Sequence, residues 1–143
     1  MTWIKAFLAG VLSTLVFHQG LLAILYAAGA SPRAPYSMEP TKPFGIPAVL
    51  SLAFWGGVWG ILLWLVIARY LGSGLYWGLA LIVGAIAPSL VALLVVQPMK
   101  GQPVAGGGNP KIIVGALLLN GAWGLGVAVL MRVLRVSSPA GAV

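Results

Sequence analysis

Few side chains in this sequence can do chemistry, and they are scattered. There is one histidine, His18, one acidic residue, Glu39, and no cysteine. A neutral imidazole can ligate a metal, relay a proton or hydrogen-bond a carbonyl, but each task needs partners. A metal site wants several His, Cys or carboxylate ligands, and His18 has no such company. Ser13, Ser51 and Ser89 lie singly in apolar runs, where packing is the common role of a serine. A nucleophilic serine also needs a base held by an acid, and a pairing of His18 with Ser89 would lack that acid. A haem needs a second axial ligand, which a single histidine supplies only through a dimer. Gly106-Gly107-Gly108 lacks the Lys-Ser/Thr ending of a phosphate loop. The reactive residues therefore point to a non-enzymatic protein with no metal and no cofactor.

The elements that position these residues are apolar. The 143 residues are 61% hydrophobic and 6% charged, with a net charge of +7. A soluble domain has roughly a quarter of its residues charged, so lipid is the fitting solvent. Four apolar runs cover about residues 4–28, 46–68, 74–97 and 111–131. About 20 such residues cross a hydrocarbon core of about 30 Å as a helix. The expected fold is all-α: a single domain of four transmembrane helices in a compact bundle. The apolar stretch from Ala6 to Ala28 exceeds the core of a signal peptide and reads as a retained helix. The cations flank spans and suit anionic headgroups of the bilayer. No basic run interleaved with aromatics suggests nucleic acid.

Lys5, Arg69, Arg132 and Arg135 fall on the side of the termini, while Arg33, Lys42, Lys100 and Lys111 fall in the two longer connections. The counts tie, and the amino terminus and Glu39 tilt the expectation toward cytoplasmic termini. Both longer connections are rich in Pro or Gly and should be extended and external, and the Ser-Ser-Pro-Ala-Gly tail frayed.

Small residues at four-residue spacing let membrane helices approach closely. Ala6-Gly10-Thr14, Gly56-Gly60, Ala80-Gly84-Pro88 and Asn120-Gly124 form such stripes, one on each span. Gly56, Gly60, Gly84 and Gly124 are the expected helix-packing residues, available to helices of this chain or of others. Trp3, Tyr26, Tyr70, Tyr76 and Trp77 read as interfacial anchors, and Pro88 as a kink. Counted from the span ends, His18, Trp55, Pro88 and Asn120 share one layer, with His18 continuing the inward stripe. Polar groups at such depth are costly and usually find partners or mark function. Two readings stand side by side. Either His18 and Asn120 hydrogen-bond each other, with Gln19 or a water, and fix helix register. Or His18, Asn120 and Trp55 form a site for a small ligand such as a quinone headgroup. Trp59 and Trp123, beside glycines near mid-depth, need acceptors for their indole N–H groups.

Gly57-Val58-Trp59-Gly60 recurs as Gly121-Ala122-Trp123-Gly124, 64 residues on. At that offset Gly10 falls on Gly74 and Gly20 on Gly84. Two helical hairpins of like orientation, related by a pseudo-two-fold along the membrane normal, are therefore expected.

At Phe17-His18-Gln19-Gly20, Phe54-Trp55-Gly56-Gly57-Val58-Trp59-Gly60 and Asn120-Gly121-Ala122-Trp123-Gly124-Leu125-Gly126 the chain resembles a family of uncharacterised small four-span inner-membrane proteins of bacteria. The resemblance covers most of the chain. It implies the fold and the bacterial inner membrane, and no activity. The expected function is an accessory or assembly subunit, or a small homo-oligomer, whose glycine faces dock other helices. The alternative is a carrier or binding protein for a small neutral or lipid-like molecule in a mid-membrane pocket around His18.

Overall fold

The computed structural model describes residues 1–134. Arg135 and the expected frayed tail lie outside the described residues. Four helices are long and apolar enough to cross a membrane: α1 (Thr2–Ala27), α2 (Ala48–Tyr70), α3 (Leu75–Met99) and α4 (Pro110–Val133). They alternate in direction and form a bundle whose outer face is studded with exposed Leu, Ile and Val. That inversion suits lipid, which solvates apolar side chains that water would expel. The bulky core, including Leu63, Trp64, Ile67, Tyr76, Trp123 and Met131, lies toward the termini.

Each hairpin closes at one crossing where glycine backbones touch. A Cβ placed on Gly60 would lie 2.6 Å from the Ala6 carbonyl oxygen and 2.9 Å from Gly10 Cα. A Cβ on Gly84 would lie 2.7 Å from Gly124 Cα, and one on Gly124 would collide with the Ala80 carbonyl. Ala6/Gly10 against Gly60 thus has its counterpart in Ala80/Gly84 against Gly124.

This pairing confirms two like hairpins and corrects their register. Gly60 and Gly124 differ by 64 positions, but Gly10 and Gly84 differ by 74. The equivalents proposed at a uniform offset, Gly74 for Gly10 and Gly20 for Gly84, fail. A Cβ on Gly74 or on Gly20 would meet nothing within 4 Å. The cause is loop length. The first connection, residues 28–47, is ten residues longer than the second, residues 100–109, so one offset cannot align both helices of a hairpin.

Tyr76 also departs from expectation. It is no headgroup anchor but 0% exposed, with its hydroxyl donating to the Ala128 carbonyl at 2.7 Å. The Arg132 guanidinium lies 4.9 Å above its ring and donates to the Leu71 carbonyl. Lys5 Nζ donates to the Leu134 carbonyl at 3.0 Å. Together these bonds tie off the end of the bundle that carries the amino terminus.

The crossings give a first prediction. Gly84→Ala forces overpacking against backbone and should cost about 1–3 kcal/mol, while Gly78→Ala, with open space beside it, should stay within about 0.5 kcal/mol of the parent. Thermal or denaturant unfolding in detergent, followed by circular dichroism, separates the two. Equal stability of both variants would contradict the crossing.

Candidate functional site

Helix α1 is not regular. Thr14–His18 forms a π turn, in which residues five apart, not four, share a face. The inward stripe therefore passes from Thr14 to Gln19 and skips His18. Gln19 is 4% exposed, while His18 is only partly buried on the flank. This single extra residue overturns the expectation that His18 continues the small stripe.

The bulge receives the first connection. Such a turn displaces a backbone carbonyl from its usual i+4 partner, and the Tyr36 hydroxyl donates to the Leu15 carbonyl at 2.7 Å. The Tyr36 N–H donates to Gln19 Oε1 at 2.7 Å, and Gln19 Nε2 meets His18 Nδ1 at 3.3 Å. Gln19 precedes the end of α1 by eight residues, which is about 12 Å at 1.5 Å per residue. The connection thus folds back along α1 by about this distance and is not extended throughout, a correction to the extended loop expected from its prolines. From Tyr36 the chain turns back through a short antiparallel ladder, Pro40–Thr41 against Ile46–Pro47. The N–H groups of Ala48 and Val49, left open at the start of α2, donate to the Glu39 and Ser37 carbonyls at 2.9 Å each. Tyr36 itself has φ of 53°, a left-handed conformation costing an L-residue roughly 1–3 kcal/mol. The two bonds to α1 offset that cost.

The other expected site residues lie apart. Asn120 Nδ2 donates to Ser89 Oγ at 2.9 Å, joining α4 to α3, and not to His18. Trp55 is 57% exposed on the outside of α2. Its neighbour Gly56 packs against Gly10 and Thr14, which sets Trp55 roughly 7 Å from the His18 level, counted at 1.5 Å per residue. The structure brings His18 together with Gln19 and the loop. It does not bring His18, Trp55 and Asn120 into one pocket.

A cavity exists elsewhere. About 180 Å³ in volume, it lies between α2 and α3, bordered by Trp59 and Leu63 of α2, Gly84 and Pro88 of α3, and Trp123 of α4. Leu62 and Val66, which also border it, are exposed on the outer face, so the cavity opens sideways toward the surrounding hydrocarbon. Its walls are apolar apart from the two indoles.

The reason it is open lies in the repeat. Its twin seam, between α1 and α4, is closed: Trp123 Nε1 donates to the Gly10 carbonyl at 3.2 Å. Beside it the Thr14 hydroxyl donates to that same carbonyl at 2.9 Å, and Ser13 Oγ donates to the Trp123 carbonyl at 2.6 Å. Gly84 packs on Gly124, and Ser13 sits beside Trp123 and Gly126. These contacts place Gly84 level with Thr14, about one turn or ~5 Å above Gly10. The second hairpin is slid along the bundle axis relative to the first. Trp123 therefore reaches Gly10, whereas Trp59 has no hydrogen-bond acceptor among the described residues. The sequence singled out Trp59 and Pro88 but did not join them. The signal that could have done so was the need of each indole N–H for an acceptor.

No family model, curated protein or solved structure matches the chain. What the fold itself defines is an integral membrane helical bundle of four spans.

The loop anchor gives a second prediction. Tyr36→Phe removes the hydroxyl bond to α1 and should cost about 1 kcal/mol. Hydrogen exchange should then rise across residues 30–47 while α3 and α4 stay protected. An unchanged loop would show that the Leu15 contact does not hold it.

Proposed function

We propose that this chain is a non-enzymatic membrane protein that binds an uncharged lipid-like molecule through the lateral opening between α2 and α3. The observation that carries the reading is the cavity itself, apolar, open on its outer side and bordered by an indole that has no acceptor among the described residues. Ligand sites are concave and mostly apolar with a few placed polar groups, and this opening has that make-up. The binding reading expected around His18 thus moves to Trp59, Gly84 and Pro88. The resemblance to bacterial four-span proteins supports the inner membrane as its place, and the amino terminus and Glu39 tilt an otherwise tied charge count toward cytoplasmic termini.

Docking through the glycine stripes loses its basis, because Gly56, Gly60, Gly84 and Gly124 already pack within the chain. The accessory-subunit reading keeps one supporting observation, the hairpin between Thr41 and Ile46. Its tip carries Phe44, 84% exposed, on a loop fastened to α1, which offers an apolar contact to another protein.

Purification in mild detergent, with mass spectrometry of the organic extract and of co-purifying proteins, tests both readings. The expected result is a stoichiometric neutral lipid, retained by His18→Leu and lost from Ala87→Phe, whose ring occupies the cavity. A stoichiometric protein partner lost on Phe44→Ser, with no retained lipid, would favour the accessory subunit instead.

A further inference from the structure

The two seams of the bundle are built from equivalent residues, so the closed one shows what the open one lacks. In the closed seam the Gly10 carbonyl accepts from an indole N–H and from the Thr14 hydroxyl. Gly84 corresponds to Gly10, and the residue corresponding to Thr14 is Pro88, again 74 positions on. That exchange removes two donors. Proline has no hydroxyl, and without an N–H it cannot make the i+4 bond to the Gly84 carbonyl. The indole corresponding to Trp123 is Trp59, which borders the same cavity as Gly84 and Pro88. At the open seam, Trp59 thus has no acceptor among the described residues and the Gly84 carbonyl lacks its usual helical donor, beside a cavity whose walls are apolar.

Resting on the lipid-binding reading above, we propose that the α2/α3 cavity takes a long-chain alcohol, its hydroxyl accepting from Trp59 Nε1 and donating to the Gly84 carbonyl. A hydroxyl is the smallest uncharged group that does both. It stands in for the Thr14 hydroxyl of the twin seam. A charged headgroup is excluded by the surroundings, because no carboxylate or cation borders the cavity to pair with it. Size favours a slender molecule. At about 30 Å³ per water-sized group, 180 Å³ holds the hydroxyl and a short length of chain. The remainder of the chain runs out past Leu62 and Val66 into the bilayer. The site is continuous with the established interfaces, since Gly84 belongs to the α3/α4 crossing and Trp123 to the α1/α4 seam.

The experiment compares dodecanol, dodecane and dodecylamine as ligands of the full chain in nanodiscs. Native mass spectrometry gives occupancy, and tryptophan fluorescence quenching by an alcohol brominated on its chain gives affinity. The parent should prefer dodecanol to dodecane by about tenfold, the worth of roughly one hydrogen bond. Trp59→Phe, which keeps an aromatic wall and removes the N–H, should cut the dodecanol-to-dodecane ratio several-fold, a ratio that loss of wall packing alone does not move. Pro88→Thr should weaken dodecanol as well, because its own hydroxyl then serves Gly84. If dodecanol and dodecane bind alike and Trp59→Phe changes neither, the hydroxyl assignment is wrong and the lipid-binding reading stands. If none of the three binds, the lipid-binding reading itself has failed. Preference for dodecylamine would overturn the assignment in favour of a cationic ligand.

Discussion

In a bilayer, apolar side chains gain nothing by leaving lipid for protein, so helices hold together by close packing and hydrogen bonds. Here that constraint falls on two crossings, Gly60 on Ala6/Gly10 and Gly124 on Ala80/Gly84. Each lets backbones touch, where dispersion contacts are densest. Each also fixes the axial register of a hairpin, and in the first hairpin Gly10 packs on Gly56 and Gly57 as closely as on Gly60. Polar pairs inside a hairpin depend on that register. Asn120 meets Ser89 and Tyr76 meets the Ala128 carbonyl at levels that the α3/α4 crossing sets.

The hairpins themselves then pack with a slip. A strict two-fold would make the α1/α4 and α2/α3 seams identical, and both would close on an indole. The slip of about one turn (~5 Å) lets one seam close and leaves the other gaping. Sequence divergence follows the asymmetry: Thr14 serves the closed seam, and Pro88 stands at its counterpart in the open one. A proline in a membrane helix is tolerated where neighbours or a bound group satisfy the freed carbonyl. Pro88 faces a cavity, and Gly84 is bordered by the same cavity.

The spans, the small-residue stripes and the existence of two hairpins could be read from the residues, because hydropathy and four-residue spacing are local properties. The repeat register could not, because it depends on how many residues the connections consume. Gly74 was aligned with Gly10 only on the assumption of equal loops. The His18 layer misled for a related reason. A regular helix predicts that Thr14 and His18 share a face, but one π turn hands that face to Gln19. No composition signal announces a π turn. The nearest hint was Gln19, a long amide in an apolar run whose two polar ends needed partners. Tyr36 was equally illegible, since in sequence it is one aromatic in a Pro-rich connection. Its role appears only when the chain folds back along α1.

The folded-back connection and the π turn account for each other. Backbone at membrane depth must be satisfied by protein, and a regular α1 would offer the loop no free carbonyl. The π turn supplies one at Leu15, and Gln19 supplies a second acceptor close by. In return the loop caps α2, whose first N–H groups would otherwise lack acceptors. The loop thus caps the start of α2, and the irregular α1 holds the loop. His18, with one ring nitrogen on Gln19, belongs to this clasp. That position explains why an interior histidine need not be a ligand-binding residue: it helps orient the amide that holds the loop. The open seam lies between α2 and α3, on the other side of the repeat, where an indole and a proline leave the bundle unfinished.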